Sequence, residues 1–419
     1  MNVTIQPSMS HGSVKIPPSK SNAHRAIICA ALANGKSTIS NIDYSVDIQT
    51  TIDCMRKLGA TIDCHEDSVE IQGIQDFNHL VDNHIECNES GSTLRFLIPI
   101  FSLTNQKVIF TGKNRLLKRP QKVYEDLFKE NHLYFNQTED FIEIEGKLCA
   151  KEYTLQGNIS SQFISGLLFT LPLLEHDSKI HILPPFESKS YIDLTIQMLD
   201  KFNIHIDWMD DFTLFIKGNQ KYLAHDEVVE GDFSQFAFFA VLGAINHDLE
   251  IKGMDPSSLQ GDKQILDILH DFGCEIIQEN SIYKIKHSHL EAHDIDLKNC
   301  PDLGPILCTL AMFSKGTTHI THASRLRLKE SDRIEAMVTE CKKMGCEIEV
   351  IEDEMFIHGG CSAPKVALSG WKDHRIVMAC AIGLSQLGGT IDGCEAITKS
   401  YPSFFEDLKT VGIEVELYD

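Results

Sequence analysis

One short pattern returns six times in this chain and constrains its fold more than any single residue does. Each copy is a helical stretch, then Gly or Asn, then a few alternating apolar residues. The copies read MRKLGATID around Gly59, LFKENHLYF around Asn131, MLDKFNIHID around Asn203, LHDFGCEII around Gly273, CKKMGCEIEV around Gly345 and LKTVGIEVEL around Gly412. The six Gly or Asn positions are 72, 72, 70, 72 and 67 residues apart. Gly and Asn suit the left-handed position that ends a helix, and alternation after them suits a strand. Solenoid repeats of the tetratricopeptide or ankyrin type are about half as long. A period near 70 holds two helices and several strands, so each copy reads as a small α/β unit.

Three copies per half then give two similar α/β domains, with ligands expected in the cleft that separates them. The polar stretch from Lys217 to Asp232 is the expected crossover between halves. A second crossover is expected near Ser10-His11-Gly12, if the first strand belongs with the C-terminal half. The expected domains are therefore residues 13–227, and residues 1–12 together with 228–419.

Composition narrows the function. The 419 residues carry 60 Asp and Glu against 38 Lys and Arg, a net charge of −22 that argues against nucleic acid as a partner. No stretch reaches the ~20 apolar residues of a membrane span, and no signal peptide is visible. The 13 cysteines form no C-x-x-C pair, which fits reduced thiols in the cytoplasm.

Against that acidity, basic residues recur where helix physics disfavours them. A helix N-terminus carries partial positive charge, so a cation in its first turn costs about 0.3–1 kcal/mol. Yet Pro17-Pro18-Ser19-Lys20-Ser21-Asn22-Ala23-His24-Arg25 opens an apolar helix, as do Glu89-Ser90-Gly91-Ser92-Thr93-Leu94-Arg95, Lys329-Glu330-Ser331-Asp332-Arg333 and Asp373-His374-Arg375. One such start is ordinarily a solvated side chain; several together imply sites of positive potential for small, highly charged anions. Gly157-Asn158-Ile159-Ser160-Ser161-Gln162 and Glu187-Ser188-Lys189-Ser190-Tyr191 add hydroxyls at further helix starts. No P-loop, G-x-G-x-x-G, H-E-x-x-H or G-x-S-x-G motif occurs, and the histidines lack metal-ligand spacing. No metal or cofactor is expected. Phosphate then reads as a handle or a leaving group.

Ten segments, PPSKSNAHRA, ESGSTLRF, TGKNRLLKRP, GNISSQFISGLL, SKSYIDLT, EGDFSQFAFF, CPDLGPI, RLRLKESDRI, WKDHRIVMA and TKSYPSFF, together resemble the 5-enolpyruvylshikimate-3-phosphate (EPSP) synthase family. They fall in order over nearly the whole chain. The resemblance implies a two-domain inside-out α/β barrel of six βαβαββ repeats, with the active site in the interdomain cleft. It implies transfer of the enolpyruvyl group of phosphoenolpyruvate to the 5-hydroxyl of shikimate 3-phosphate, with release of phosphate. Nothing in the sequence suggests an obligate interface, so a monomer is expected. Lys20 would sit where both substrates meet. Ser21, Arg25, Ser160, Ser161, Gln162, Ser188, Tyr191 and Lys329 would bind shikimate 3-phosphate. Gly91, Arg119, Gln162, Arg333, Arg375 and Lys399 would hold phosphoenolpyruvate. Asp302 would be the base at the hydroxyl and Glu330 the acid near the methylene carbon.

Two carboxylates with separated pKa values suit that division of labour. Lys329 and Arg333 flank Glu330 and should depress its pKa, an effect that bound anions would offset. The bland readings are that Glu330 and Asp302 merely cap helices. Two positions depart from the family pattern: Glu89 beside Gly91, and Arg325 where Asn often stands. The rival is the sister transferase acting on a UDP-linked N-acetylglucosamine. That enzyme is expected to show a Lys-Asn start and a loop cysteine, whereas this chain has Lys20-Ser21 and no Cys from Phe110 to Pro120.

Overall fold

The computed structural model of the chain describes residues 1–78 and 80–418. The last residue of the expected second domain, 419, lies outside them. The chain divides into two compact units, Lys20–Val229 and Met1–Ser19 with Glu230–Asp419.

Each repeat takes the same form. In the copy around Asn203, strand Glu152–Gln156 pairs in parallel with Ser178–Leu183, which pairs antiparallel with Thr213–Ile216, and Ile206–Trp208 closes the edge. The described residues form six four-stranded sheets of this order. The helix before each Gly or Asn runs into the edge strand, as Val46–Leu58 runs through Gly59 to Thr61–Cys64. Gly59, Asn203, Gly273, Gly345 and Gly412 all take positive φ. Asn131 does not. Its φ is −91°, and His132 takes the left-handed position at +57°. The Asn131 side chain instead donates to the Leu127 carbonyl, 2.6 Å away, so it caps the helix without leaving the right-handed region.

The first two strands both pair within the unit that holds the C-terminal residues. Asn2–Ile5 sits between Gly389–Asp392 and Val415–Tyr418, completing the C-terminal sheet. Ser13–Lys15 pairs in parallel with Leu249–Lys252, so residues 13–19 belong with the C-terminal half and not with 20–227. Glu227–Val228 pairs with Lys36–Ser40, which keeps that segment with the N-terminal half. The two chain connections run side by side, Ser19 N–H donating to the Glu230 carbonyl at 2.7 Å and Asp232 N–H to the Pro17 carbonyl at 3.0 Å.

Within each unit the most apolar helices lie inside the sheets. Every residue of Phe233–Ile245 and of Gly304–Met312 is buried, and twelve of the fourteen in His374–Leu387 are. A helix apolar all round has no stable place except a core. Lys20–Leu32, Gly91–Ser102 and Ser161–Thr170 play that part in the other unit. All six start with the polar motifs singled out above or directly after them, so burying the helix bodies gathers the motifs at helix N-termini.

Candidate active site

In the unit Lys20–Val229, Lys20 is the first residue of its helix and pairs with Asp47 at 2.8 Å. One turn on, Arg25 donates from Nε to Thr195 Oγ1 at 2.9 Å, from Nη1 to the Ser21 carbonyl at 2.7 Å and from Nη2 to the Tyr191 carbonyl at 3.2 Å. Its guanidinium also lies 5.2 Å from the Phe96 ring centre. Burial lowers its pKa to about 10, which leaves it charged at neutral pH. Ser188, buried, takes φ +56° at the start of the Lys189–Lys201 helix. Arg25, Ser21, Ser188 and Tyr191 are thus one constellation.

Gly91, Arg119 and Gln162 form a second. A Cβ on Gly91 would stand 2.7 Å from Nη1 of Arg119 and 3.6 Å from Oε1 of Gln162, so glycine is what lets the guanidinium lie against the helix start. Gln162 accepts from Arg95 Nη1 at 2.8 Å and donates to Ser92 Oγ at 2.9 Å. Ser160 caps its helix by accepting from the Gln162 N–H at 3.3 Å, and Ser161 is the first residue of that helix. Ser90, not Glu89, caps the Gly91–Ser102 helix.

The other unit holds the acids. Asp302 lies in the turn Pro301–Leu303, two residues after its N-cap residue Cys300. Its Oδ1 accepts from Lys329 Nζ and from Arg333 Nη1, each at 3.0 Å, and its Oδ2 accepts from Arg375 Nη2 at 3.3 Å. Burial opposes its charge, but Arg375, Lys329 and Arg333 outweigh that and hold its pKa well below the usual carboxylate range. Glu330 accepts from Arg333 Nη2 at 2.8 Å, and Asp332 is the residue that caps the Arg333–Lys343 helix. Neither acid stands at the N-cap position of a helix. Lys329 is held below its ordinary pKa by burial, with Asp302 opposing. Behind them Ser234 donates to Asp262, whose carboxyl is pushed up to about 7 by burial and then by Asp302. Lys399 donates to the Lys372 carbonyl at 2.8 Å, and Arg325 to the Lys298 carbonyl at 2.7 Å.

Lys20, Lys329, Arg333 and Arg375 each have a carboxylate partner. Three partners of the candidate residues were not themselves expected at the site. Asp47 pairs with Lys20, Arg95 holds Gln162, and Asp373 fixes Arg333 while capping the Arg375 helix. Arg95 and Asp373 both lie in the helix-start motifs. Nothing in the sequence ties Asp47 to Lys20.

A family model for EPSP synthase (3-phosphoshikimate 1-carboxyvinyltransferase) matches residues 5–408. The 3-phosphoshikimate 1-carboxyvinyltransferase of Clostridium kluyveri is 44% identical over 419 residues, covering 99% of this chain and 98% of that one. The chain belongs to the EPSP synthase family. A Clostridium perfringens protein of the same name is 46% identical, with 98% of each chain covered. As a member of the EPSP synthase family the chain is an enzyme, a transferase of the shikimate pathway, and the rival UDP-sugar reading is not favoured. EPSP synthase from Acinetobacter baumannii shares the fold at TM-score 0.81 and 24% identity, covering 99% of this chain and 100% of that one. The enolpyruvyl transferase NikO of Streptomyces tendae shares it at TM-score 0.80 and 13% identity, covering 99% and 98%.

Proposed function

We propose that the two sets of residues serve one reaction, transfer of enolpyruvate from phosphoenolpyruvate to the 5-hydroxyl of shikimate 3-phosphate. Arg25, Ser21, Ser160, Ser161, Gln162, Ser188 and Tyr191 bind shikimate 3-phosphate, with Lys329 on its hydroxyl side. Gly91, Arg119, Gln162, Arg333, Arg375 and Lys399 hold phosphoenolpyruvate, and Lys20 serves both.

The observation that carries the reading is Asp302, a carboxylate tied to three cations. So paired it is a weak base. Phosphoenolpyruvate brings a carboxylate and a phosphate that compete for Arg333 and Arg375, and Asp302 gains basicity as those cations turn to the substrate. It then takes the proton of the 5-hydroxyl as the oxygen bonds to C2 of the enol. Glu330 delivers a proton to the methylene carbon, giving a tetrahedral intermediate. Loss of a proton from the methyl group and of phosphate from C2 restores the enol ether. Proton transfer by positioned carboxyls of this kind contributes about 10²–10⁴-fold.

The enzyme works as a monomer in the cytoplasm on this reading. Among the described residues no helix is long and apolar enough to cross a membrane. Ten of the thirteen free cysteines are buried, as suits a reducing compartment. The substrate division is tested by the KM of each substrate. Ser161→Ala should raise KM for shikimate 3-phosphate alone, and Arg375→Lys should raise KM for phosphoenolpyruvate alone. The reverse pattern would overturn the assignment.

A further inference from the structure

Two rungs join the Lys20–Leu32 and Val46–Leu58 helices. Lys20 meets Asp47, and one turn further along both helices His24 Nδ1 meets Thr51 Oγ1 at 2.8 Å. The first rung lies within the proposed site. The second continues to a third helix. Thr51 Oγ1 lies 2.7 Å from Thr93 Oγ1, which donates to Ser90 Oγ at 2.7 Å, and Ser90 caps the helix that begins at Gly91. His24, Thr51, Thr93 and Ser90 are all buried, at 1%, 0%, 0% and 1% exposure.

The direction of this chain follows from proton counting. A hydroxyl has one proton to give. Thr93 gives its proton to Ser90, so Thr51 must give its own to Thr93, and the hydrogen on the first link must come from His24 Nδ1. Nε2 is then a bare acceptor, and it has no hydrogen-bond partner among the described residues. Burial first, and then the charges of Lys20 and Arg25, hold the His24 pKa well below its ordinary value, which keeps the ring neutral as the counting requires.

We propose that His24, Thr51, Thr93 and Ser90 form a one-way hydrogen-bond relay, with His24 fixed as the Nδ1–H tautomer, that sets the Gly91 helix start against Lys20. His24, Thr51 and Thr93 are on this view positioning residues for the phosphoenolpyruvate pocket. The inference rests on the placing of Gly91 in that pocket. A buried hydroxyl chain holds its members rigidly only when every link is made, so breaking one link releases the next.

The test uses the full-length enzyme and two readouts. Thr51→Val and Thr93→Val keep side-chain shape and remove one hydroxyl each. Losing one such bond is worth about 3–10-fold, and that rise is expected in KM for phosphoenolpyruvate with KM for shikimate 3-phosphate unchanged. The double variant should cost little more than either single one, and Thr51→Ser should restore the parent value. Equal rises in both KM values, or costs that multiply in the double variant, would overturn the proposal. Independently, ¹⁵N shifts of labelled histidine rings at pH 7, with the His24 signals identified by their loss in His24→Asn, should show Nδ1 protonated and Nε2 bare. An Nε2–H or charged ring would overturn it. If the parent shows no turnover of phosphoenolpyruvate, the pocket assignment falls, and the ring shifts alone decide the relay.

Discussion

Arg333 and Asp373 meet twice in the interior, Nε to Oδ2 at 2.9 Å and Nη2 to Oδ1 at 3.2 Å, with side-chain exposures of 1% and 0%. The same carboxylate accepts from the Arg375 backbone N–H at 3.0 Å and from Ser331 Oγ at 3.0 Å. One buried acid therefore sets the guanidinium of one helix start and caps the next.

That arrangement has a pH signature. Burial opposes ionisation of Asp373, yet Arg333 prevails and lowers its pKa to about 2. A depressed carboxyl contributes stability that is present above its unfolded pKa of ~3.9 and is lost as pH falls toward the folded value. The contribution is on the order of 2 kcal/mol. The Tm gap between the parent and Asp373→Asn should be widest near pH 6–7 and shrink as pH falls from about 4 to about 2. A gap that stays constant over that range would contradict the pairing. At neutral pH the loss should be large, about 3–5 kcal/mol, because Arg333 is left buried beside one acid fewer.

Much of the fold is legible in the sequence. The six Gly or Asn signals gave the repeat, because a helix end needs a residue that tolerates positive φ and five of the six take it. Cations at helix starts marked the segments that carry the candidate residues, because charge placed against the helix dipole calls for a compensating partner or ligand. What stayed hidden was pairing across sequence distance. Lys20 and Asp47 are joined by folding and not by spacing, and Thr51 looks like any helix threonine until Thr93 stands beside it. Strand exchange at the crossovers leaves little trace in the sequence. Ser13–Lys15 is too short to carry a pattern, and its pairing with Leu249–Lys252 is set by the sheet it completes.

Gly91→Ala should act on Arg119. The added methyl would meet Nη1 of Arg119 at 2.7 Å, and the guanidinium, being the far end of a flexible side chain, would move aside. KM for phosphoenolpyruvate should rise about tenfold, the cost of one charge-assisted hydrogen bond, with Tm within a few degrees of the parent. Steady-state kinetics with shikimate 3-phosphate saturating would show it. An unchanged KM would remove Arg119 from the pocket.

Arg25→Lys should fail although charge is kept. The guanidinium serves Thr195, Ser21 and Tyr191 at once, in a fork that an ammonium cannot reproduce. KM for shikimate 3-phosphate should rise by about 10–100-fold, from two bonds lost at about 1 kcal/mol or slightly more each. Isothermal titration of shikimate 3-phosphate onto the variant would measure the same loss directly, and parent-like affinity would contradict it.

Both substrates carry several negative charges, so screening should weaken their capture. The Debye length shortens from about 10 Å at 0.1 M salt to about 3 Å at 1 M. The value of kcat/KM for either substrate should fall over that range while kcat changes little. A kcat/KM independent of salt would argue against an electrostatic pocket.

The most direct test is phosphate release from phosphoenolpyruvate by the parent enzyme and by Asp302→Asn, with shikimate 3-phosphate as acceptor and UDP-N-acetylglucosamine as the control. The parent should release phosphate with shikimate 3-phosphate and not with the UDP-sugar. Asp302→Asn should lower kcat by about 10²–10⁴-fold while both substrates still bind. Parent-like turnover by Asp302→Asn would contradict the assignment of Asp302 as the base, and release with the UDP-sugar alone would contradict the reaction itself.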